Sequence, residues 1–211
     1  MRYVWTVQGD DPDYGQGDKY GITGYLSPLP SVDPLTPTVV AQSLAHGSGA
    51  GIYLGHAWFP GMSGKQLAEK VNVDYKATKK THPTAKLRVM FNLEEHEPAK
   101  ILECLERWRV LQPNVNTSWS MEGMQGGWMG PVLSAGGVPS PFVLRVLACR
   151  VRLVPQCFVG NMARRESDIV LRDLTRRGFP ESVISMFYDA ANLGADWDGF
   201  AFTMGRLPWI P

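Results

Sequence analysis

The chain has 211 residues, 44% of them apolar and 19% charged, and its 21 Lys and Arg against 20 Asp and Glu leave a net charge of +1. That length suits one domain whose core needs no disulfide or metal staple. The balanced charge offers no electrostatic footprint for nucleic acid, and seven Trp argue against a disordered chain.

In chain order, β-branched and aromatic content or strict alternation predicts strands over 2–8, 21–27, 50–58, 86–94, 116–122, 151–159, 183–189 and 198–204. Residues 9–20, rich in Asp and Gly, read as a loop. Thr36-Pro37 opens a helix that Gly47 ends. A second helix runs over about 63–80, with Leu67, Val71 and Tyr75 at four-residue spacing and Lys79-Lys80 at the negative end of its dipole. A third starts at Pro98; Ile101, Leu105 and Trp108 form its apolar stripe, and Glu103, Glu106, Arg107 and Arg109 are expected to face water. Residues 123–140 are Gly-rich and irregular in pattern, with a short helix expected over 141–149. A last helix begins near Ser167 and closes on Arg176-Arg177-Gly178.

Strand alternating with helix indicates an α/β fold with a mostly parallel sheet. About eight strands with about five helices favour a trimmed β/α (TIM-like) barrel over an open doubly wound sheet. The chain 1–211 is read as a single barrel-like domain, with 123–150 a Gly-rich insertion or irregular segment within it. Cys104, Cys149 and Cys157 are too few for a disulfide framework and sit in apolar surroundings, so they read as buried free thiols. Met1-Arg2-Tyr3-Val4-Trp5 runs directly into a strand pattern, which predicts synthesis in a cytoplasm without a secretion signal. No apolar run approaches the roughly 18 residues of a membrane span.

In such a barrel the C-terminal strand ends build the site, and residues two apart share a face. Asn92 and Glu94 fall on one face of their strand; Ser118, Ser120 and Glu122 on one face of the next; Asp189 closes Met186-Phe187-Tyr188-Asp189. Carboxylates on one rim with Tyr25, Trp58, Trp119, Trp128 and Tyr188 nearby would suit a sugar, and hydrolysis needs two acids at a set separation. Acids just after strands also serve as helix caps, and aromatic residues more often fill a core than line a platform. Gly61-Met62-Ser63-Gly64-Lys65 has the look of a phosphate loop, but Phe59 stands where its first Gly belongs and Gln66 replaces the Ser or Thr that would hold magnesium. His46, His56, His82 and His96 show no metal spacing, and no cofactor is expected.

The C-terminal third carries a more specific pattern: Leu153-Val154-Pro155-Gln156-Cys157-Phe158-Val159-Gly160-Asn161-Met162, then Arg177-Gly178-Phe179-Pro180, Met186-Phe187-Tyr188-Asp189-Ala190-Ala191-Asn192-Leu193 and Trp197-Asp198-Gly199-Phe200-Ala201. It resembles the glycosidase-like barrel of minor tail proteins from actinobacterial, especially mycobacterial, long-tailed phages. The resemblance implies a virion component at the tail tip, with other tail proteins and host cell-wall glycan as partners. The balanced charge and the lack of a long apolar run, for their part, predict no nucleic-acid partner and no membrane span.

The layout is similar to family 25 lysozymes as well, which carry an Asp on an early strand and an Asp-x-Glu at the end of the fourth. Here Asn92-Leu93-Glu94 puts Glu94 at the general-acid position and Asn92 in place of the Asp, and Thr23 stands where the early Asp would be. Asn and Thr neither take a proton nor carry negative charge at neutral pH, so an oxocarbenium-like transition state would lose stabilisation. The expectation is a structural or glycan-binding barrel, with Asn92, Tyr25, Trp58, Trp119 and Tyr188 as ligand-binding candidates. The alternative is an active glycoside hydrolase using Glu94 with Glu122 or Asp189.

Overall fold

The computed structural model describes residues 4–7, 14–19, 23–55, 58–93, 96–121, 134–135, 138–157 and 186–189; the side chains of 4–7, 16, 19, 120–121, 134–135, 138–139, 152–157 and 186–189 lie outside that description. Its strands are β1 (Val4–Val7), β2 (Gly24–Pro28), β3 (Gly49–Leu54), β4 (Arg88–Asn92), β5 (Asn116–Met121), β6 (Ser134–Ala135), β7 (Val138–Pro139), β8 (Val151–Cys157) and β9 (Met186–Asp189). Its helices are α1 (Tyr14–Lys19), α2 (Thr36–Ala45), α3 (Gly64–Thr81), α4 (Pro98–Leu111) and α5 (Pro141–Ala148). All ladders between consecutive members of β1-β2-β3-β4-β5-β8-β9 are parallel, and β9 pairs back onto β1 to close the ring. The protein is therefore a trimmed β/α barrel. The expected strand at 198–204 and the helix from Ser167 lie outside the described residues.

Register shows how the ring closes. Arg88 is level with Gly51, Leu26, Val7 and Asp189 in one direction. In the other direction Asn92 is level with Ser120 and Val154, and Val154 stands two residues before Gln156, the partner of Phe187. The strands are therefore staggered round the barrel, as tilted strands in a closed sheet must be.

Alternation along each strand sorts side chains into two layers. Val89, Phe91 and Leu93 join Leu67, Ile101, Leu105 and Trp108 in the apolar layer under α3 and α4, with the Phe91 and Trp108 rings edge to face at 5.4 Å. Arg88, Met90 and Asn92 therefore face the lumen. On β5, Thr117 accepts from the Trp108 indole N–H at 2.8 Å and Trp119 packs on Phe142 of α5, which leaves Ser118 to the lumen.

The helices begin and meet where the sequence allows. Ser63 caps α3: its hydroxyl accepts from the Gln66 amide, and the Gln66 side chain returns a bond to the Ser63 amide. α3 and α4 touch at Gly64, where a Cβ would crowd the Lys100 carbonyl and come within 2.8 Å of the Cys104 amide nitrogen. Arg107 pairs with Glu69 across the two helices.

Two expectations are corrected here. The 9–20 loop contains α1, which tertiary contact holds in place: Tyr14 stacks on His46 at 4.4 Å and its hydroxyl meets Ser43 at 3.0 Å. Propensity alone would not select a helix reading Tyr-Gly-Gln-Gly-Asp-Lys. Arg109 does more than face water: it is half-buried and its head is engaged by the protein. Its guanidinium donates to the carbonyls of Gln112, Pro113 and Val115 and of Cys149 and Arg150, tying the α4–β5 loop to the α5–β8 turn. Within the Gly-rich 123–150 stretch, β6 and β7 pair antiparallel and α5 fills the expected short helix, capped by Ser140.

Gly64→Ala should lower stability by about 2–3 kcal/mol, because two helix backbones must separate to admit one methyl group; urea denaturation measures it. Cys104 is fully buried, and burial pushes its thiol well above the ordinary range. The unfolded chain releases that proton first, so stability should fall by about 1.4 kcal/mol per unit as pH rises above about 8.5. Cys104→Ala should make the alkaline slope shallower in denaturation curves, leaving the part that the raised Cys149 thiol contributes.

Candidate functional site

The strands of the closed ring are all parallel, so their C-terminal ends share one end of the barrel, the mouth. At that end Ile52 and Leu54 pack outward with the core, and Tyr53 between them faces the lumen, half-buried. Trp58 reaches back over the strand end, its ring 5.1 Å from that of Tyr53 and tilted by 38°. Gly55 permits this: a Cβ there would lie 2.8 Å from Cε2 of the indole. The Trp58 amide closes a turn onto the Gly55 carbonyl at 3.2 Å, and a second turn joins Met62 to Phe59 at 3.3 Å. Phe59 holds φ at 58°, a left-handed conformation that costs a non-glycine residue free energy. Lys70 on α3 sits 5.3 Å from the centre of the Phe59 ring.

The same lysine anchors a second mouth loop. Lys70 and Ser31 both donate to the Asp74 carboxylate, each at 2.7 Å, and Lys70 also meets the Ser31 hydroxyl. Asp74 is buried, so the pair is screened less than a surface ion pair and holds the loop after β2 against α3. Two loops of the mouth thus rest on one helix turn.

Asn92 ends β4 on the lumen face, two residues past Met90, the register partner of Tyr53, and is buried to 7% exposure. One step deeper, Ser118 pairs in register with Met90, and its buried hydroxyl makes no hydrogen bond among the described residues. The carboxamide of Asn92 and the hydroxyls of Ser118 and Tyr53 can exchange hydrogen bonds with a polar ligand. None of them is an acid at neutral pH.

The expected site residues separate into groups. Asn92 and Trp58 lie at the mouth. Asp189 ends β9 on the same rim, its backbone level with Val7, and Tyr188 precedes it, level with Thr6 and Cys157; the side chains of both lie outside the described residues. Glu94, Glu122, Trp128 and His56 also lie outside them. Tyr25 and Trp119 were expected at the mouth and are not there. Tyr25 packs outward against Tyr14 at 4.9 Å, and Trp119 packs outward against Phe142 at 5.6 Å; both are buried in the layer between strands and helices. Thr23 precedes β2 at the opposite end of the barrel, where its carbonyl accepts from Gly49, so it does not occupy the place of a mouth acid. Sequence reading missed Tyr53 and Gly55; the spacing Gly51-x-Tyr53-x-Gly55 on one strand face was the available signal.

Cys104 and Cys149 are buried free thiols, and burial pushes both upward in pKa, which leaves them poor nucleophiles. Among the described residues no three His, Cys, Asp or Glu side chains cluster to hold a metal ion, and no helix is long and apolar enough to cross a membrane.

No protein-family model matches the chain, and no curated protein matches it. Solved structures do. The catalytic domain of a hyperthermophilic chitinase from Pyrococcus furiosus aligns over 92% of this chain and 78% of its own, with 14% identity and a TM-score of 0.53. Catalytic-site mutants of active domain 2 of chitinase from the same organism align over 98% of this chain and 95% of their own, with 13% identity and a TM-score of 0.51. At that identity the likeness is one of fold: the chain shares the β/α barrel of these domains.

The Gly55–Trp58 contact can be tested by a double-mutant cycle. Gly55→Ala should cost about 1–2 kcal/mol in the parent and close to nothing in a Trp58→Ala background, a coupling that chemical denaturation of the four proteins would read.

Proposed function

We propose that this chain is a virion component, a minor tail protein at the tip of a long-tailed phage, whose barrel mouth binds host-envelope glycan without cleaving it. The observation that carries the binding half is the Tyr53–Trp58 aromatic pair with the buried Asn92 amide on the neighbouring strand end. Flat rings cover the apolar faces of sugars, and amide and hydroxyl groups exchange hydrogen bonds with sugar hydroxyls. The fold shared with chitinase catalytic domains supports a saccharide as the ligand.

Against hydrolysis stands the chemistry of position 92. Cleavage by paired carboxyl groups needs one acid at the leaving oxygen and a second group to meet the developing positive charge. A carboxamide stands where the resemblance to lysozymes puts the second acid, and it carries no charge. The tail-tip half rests on the resemblance of residues 153–201 to tail-protein barrels, with assembly into virions inside the host and other tail proteins as neighbours.

The alternative is an active glycoside hydrolase acting on host cell-wall polysaccharide or peptidoglycan, with Glu94 as acid and Glu122 or Asp189 as partner. The position of Asp189 on the same rim as Asn92 favours it.

Titration of the purified chain with N-acetylglucosamine oligomers separates the two. The expected result is saturable binding, weakened about tenfold or more by Trp58→Ala, with no reducing ends released from the oligomers or from actinobacterial cell walls. Release of reducing ends that Glu94→Gln abolishes would establish the hydrolase instead. The chain should also co-sediment with assembled tails; its absence from particles would overturn the virion half.

A further inference from the structure

The end of the barrel opposite the mouth carries a cleft of about 560 Å³, between the C-terminal turn of α3 and the loops that lead into β4 and β5. Its wall includes Tyr75, Lys79, Lys86, Gln112, Asn114 and Asn116. Among the described residues no carboxylate lines it. The sequence on both sides explains why. From Tyr75 to Leu93 the chain carries Lys76, Lys79, Lys80, Lys86 and Arg88 and no acid, and from Arg107 to Met121 there is again none. In a chain with a net charge of only +1, this is a local segregation of positive charge.

The cleft is also rich in donors. Lys79 is fixed by two carbonyls, those of Pro83 at 2.6 Å and Ala85 at 2.7 Å. An ammonium has three donors, so a held positive charge keeps one N–H for a ligand. Lys86 is exposed and makes no ion pair or hydrogen bond among the described residues. The Tyr75 phenol in the same wall is a neutral O–H donor at pH 7. The Gln112 amide nitrogen is engaged with Asn72 at 2.7 Å, while Asn114 in the same loop and Asn116 at the start of β5 are exposed.

We infer that this basal cleft is a binding site for a phosphate monoester. Two ammonium groups match a dianion. The donors outnumber what the two oxygens of a carboxylate accept, whereas phosphate presents three strong acceptor oxygens. The remaining volume and the amide wall suit a small polar group, such as a sugar, on the ester. The site lies at the far end of the barrel from the glycan-binding mouth and does not depend on it.

The test is calorimetric titration with inorganic phosphate, glucose 6-phosphate and glucose, at an ionic strength held constant with sodium chloride. Saturable binding of the sugar phosphate, and none of glucose, is the expected result. Tighter binding of the ester than of inorganic phosphate assigns the site to esters; equal binding assigns it to free phosphate, and the ester proposal fails. Lys86→Gln and Lys79→Gln should each weaken binding about tenfold. Lys86 has no partner to lose, so that variant should fold as the parent does. Lys65→Gln, at the start of α3, should change nothing. No saturable heat with either phosphate compound, or an affinity unchanged in Lys86→Gln, would overturn the proposal.

Discussion

A closed ring of parallel strands gives every strand residue one of two destinations, the lumen or the layer beneath the helices. Closure removes the free edges that would let a strand slip, and a slip of one residue would exchange the two faces. That constraint decides the chemistry of the mouth. On β4 it sends Phe91 and Leu93 to the helices and leaves Asn92 at the rim. On β3 it sends Ile52 and Leu54 outward and leaves Tyr53 inside. The apolar layer formed by α3, α4 and the outward faces of β3, β4 and β5 fixes this choice, because reversing it would bury Arg88 and Asn92 under Trp108.

The mouth loops are built on that frame with few devices. Gly55 lets the Trp58 ring lie against the strand end, Phe59 accepts a left-handed backbone to make the turn, and Lys70 with Asp74 holds both this loop and the one carrying Ser31. A ring held in place before a ligand arrives loses little freedom on binding, which suits recognition of a weakly held sugar. The same preorganisation would serve catalysis if an acid pair stood at the rim. A carboxamide at position 92 argues for holding the ligand over breaking it.

Much of the fold was legible because each element declares its own period. Leu67, Val71 and Tyr75 mark α3, Ile101, Leu105 and Trp108 mark α4, and alternation marks β4 and β5. What the sequence could not display was which strand face turns inward. Tyr25 and Trp119 share their composition with binding-site aromatics, yet both fall on the outward phase, against Tyr14 and Phe142. Asn92 and Trp58 were legible as mouth residues from strand ends and loop position. Tyr53 was not, since its role arises from a ring that approaches over a glycine two residues further on. α1 and the Arg109 bonds were hidden for a related reason: both depend on groups far away in sequence, His46 in one case and the Cys149 and Arg150 carbonyls in the other.

The most direct test of the central claim is a crystal structure of the chain soaked with an N-acetylglucosamine oligomer. The account predicts an intact oligomer at the mouth, with one sugar ring lying on the Trp58–Tyr53 faces and a hydroxyl or acetamido group bonded to Asn92. A cleaved sugar held between two carboxylates, or an oligomer bound away from that rim, would contradict it.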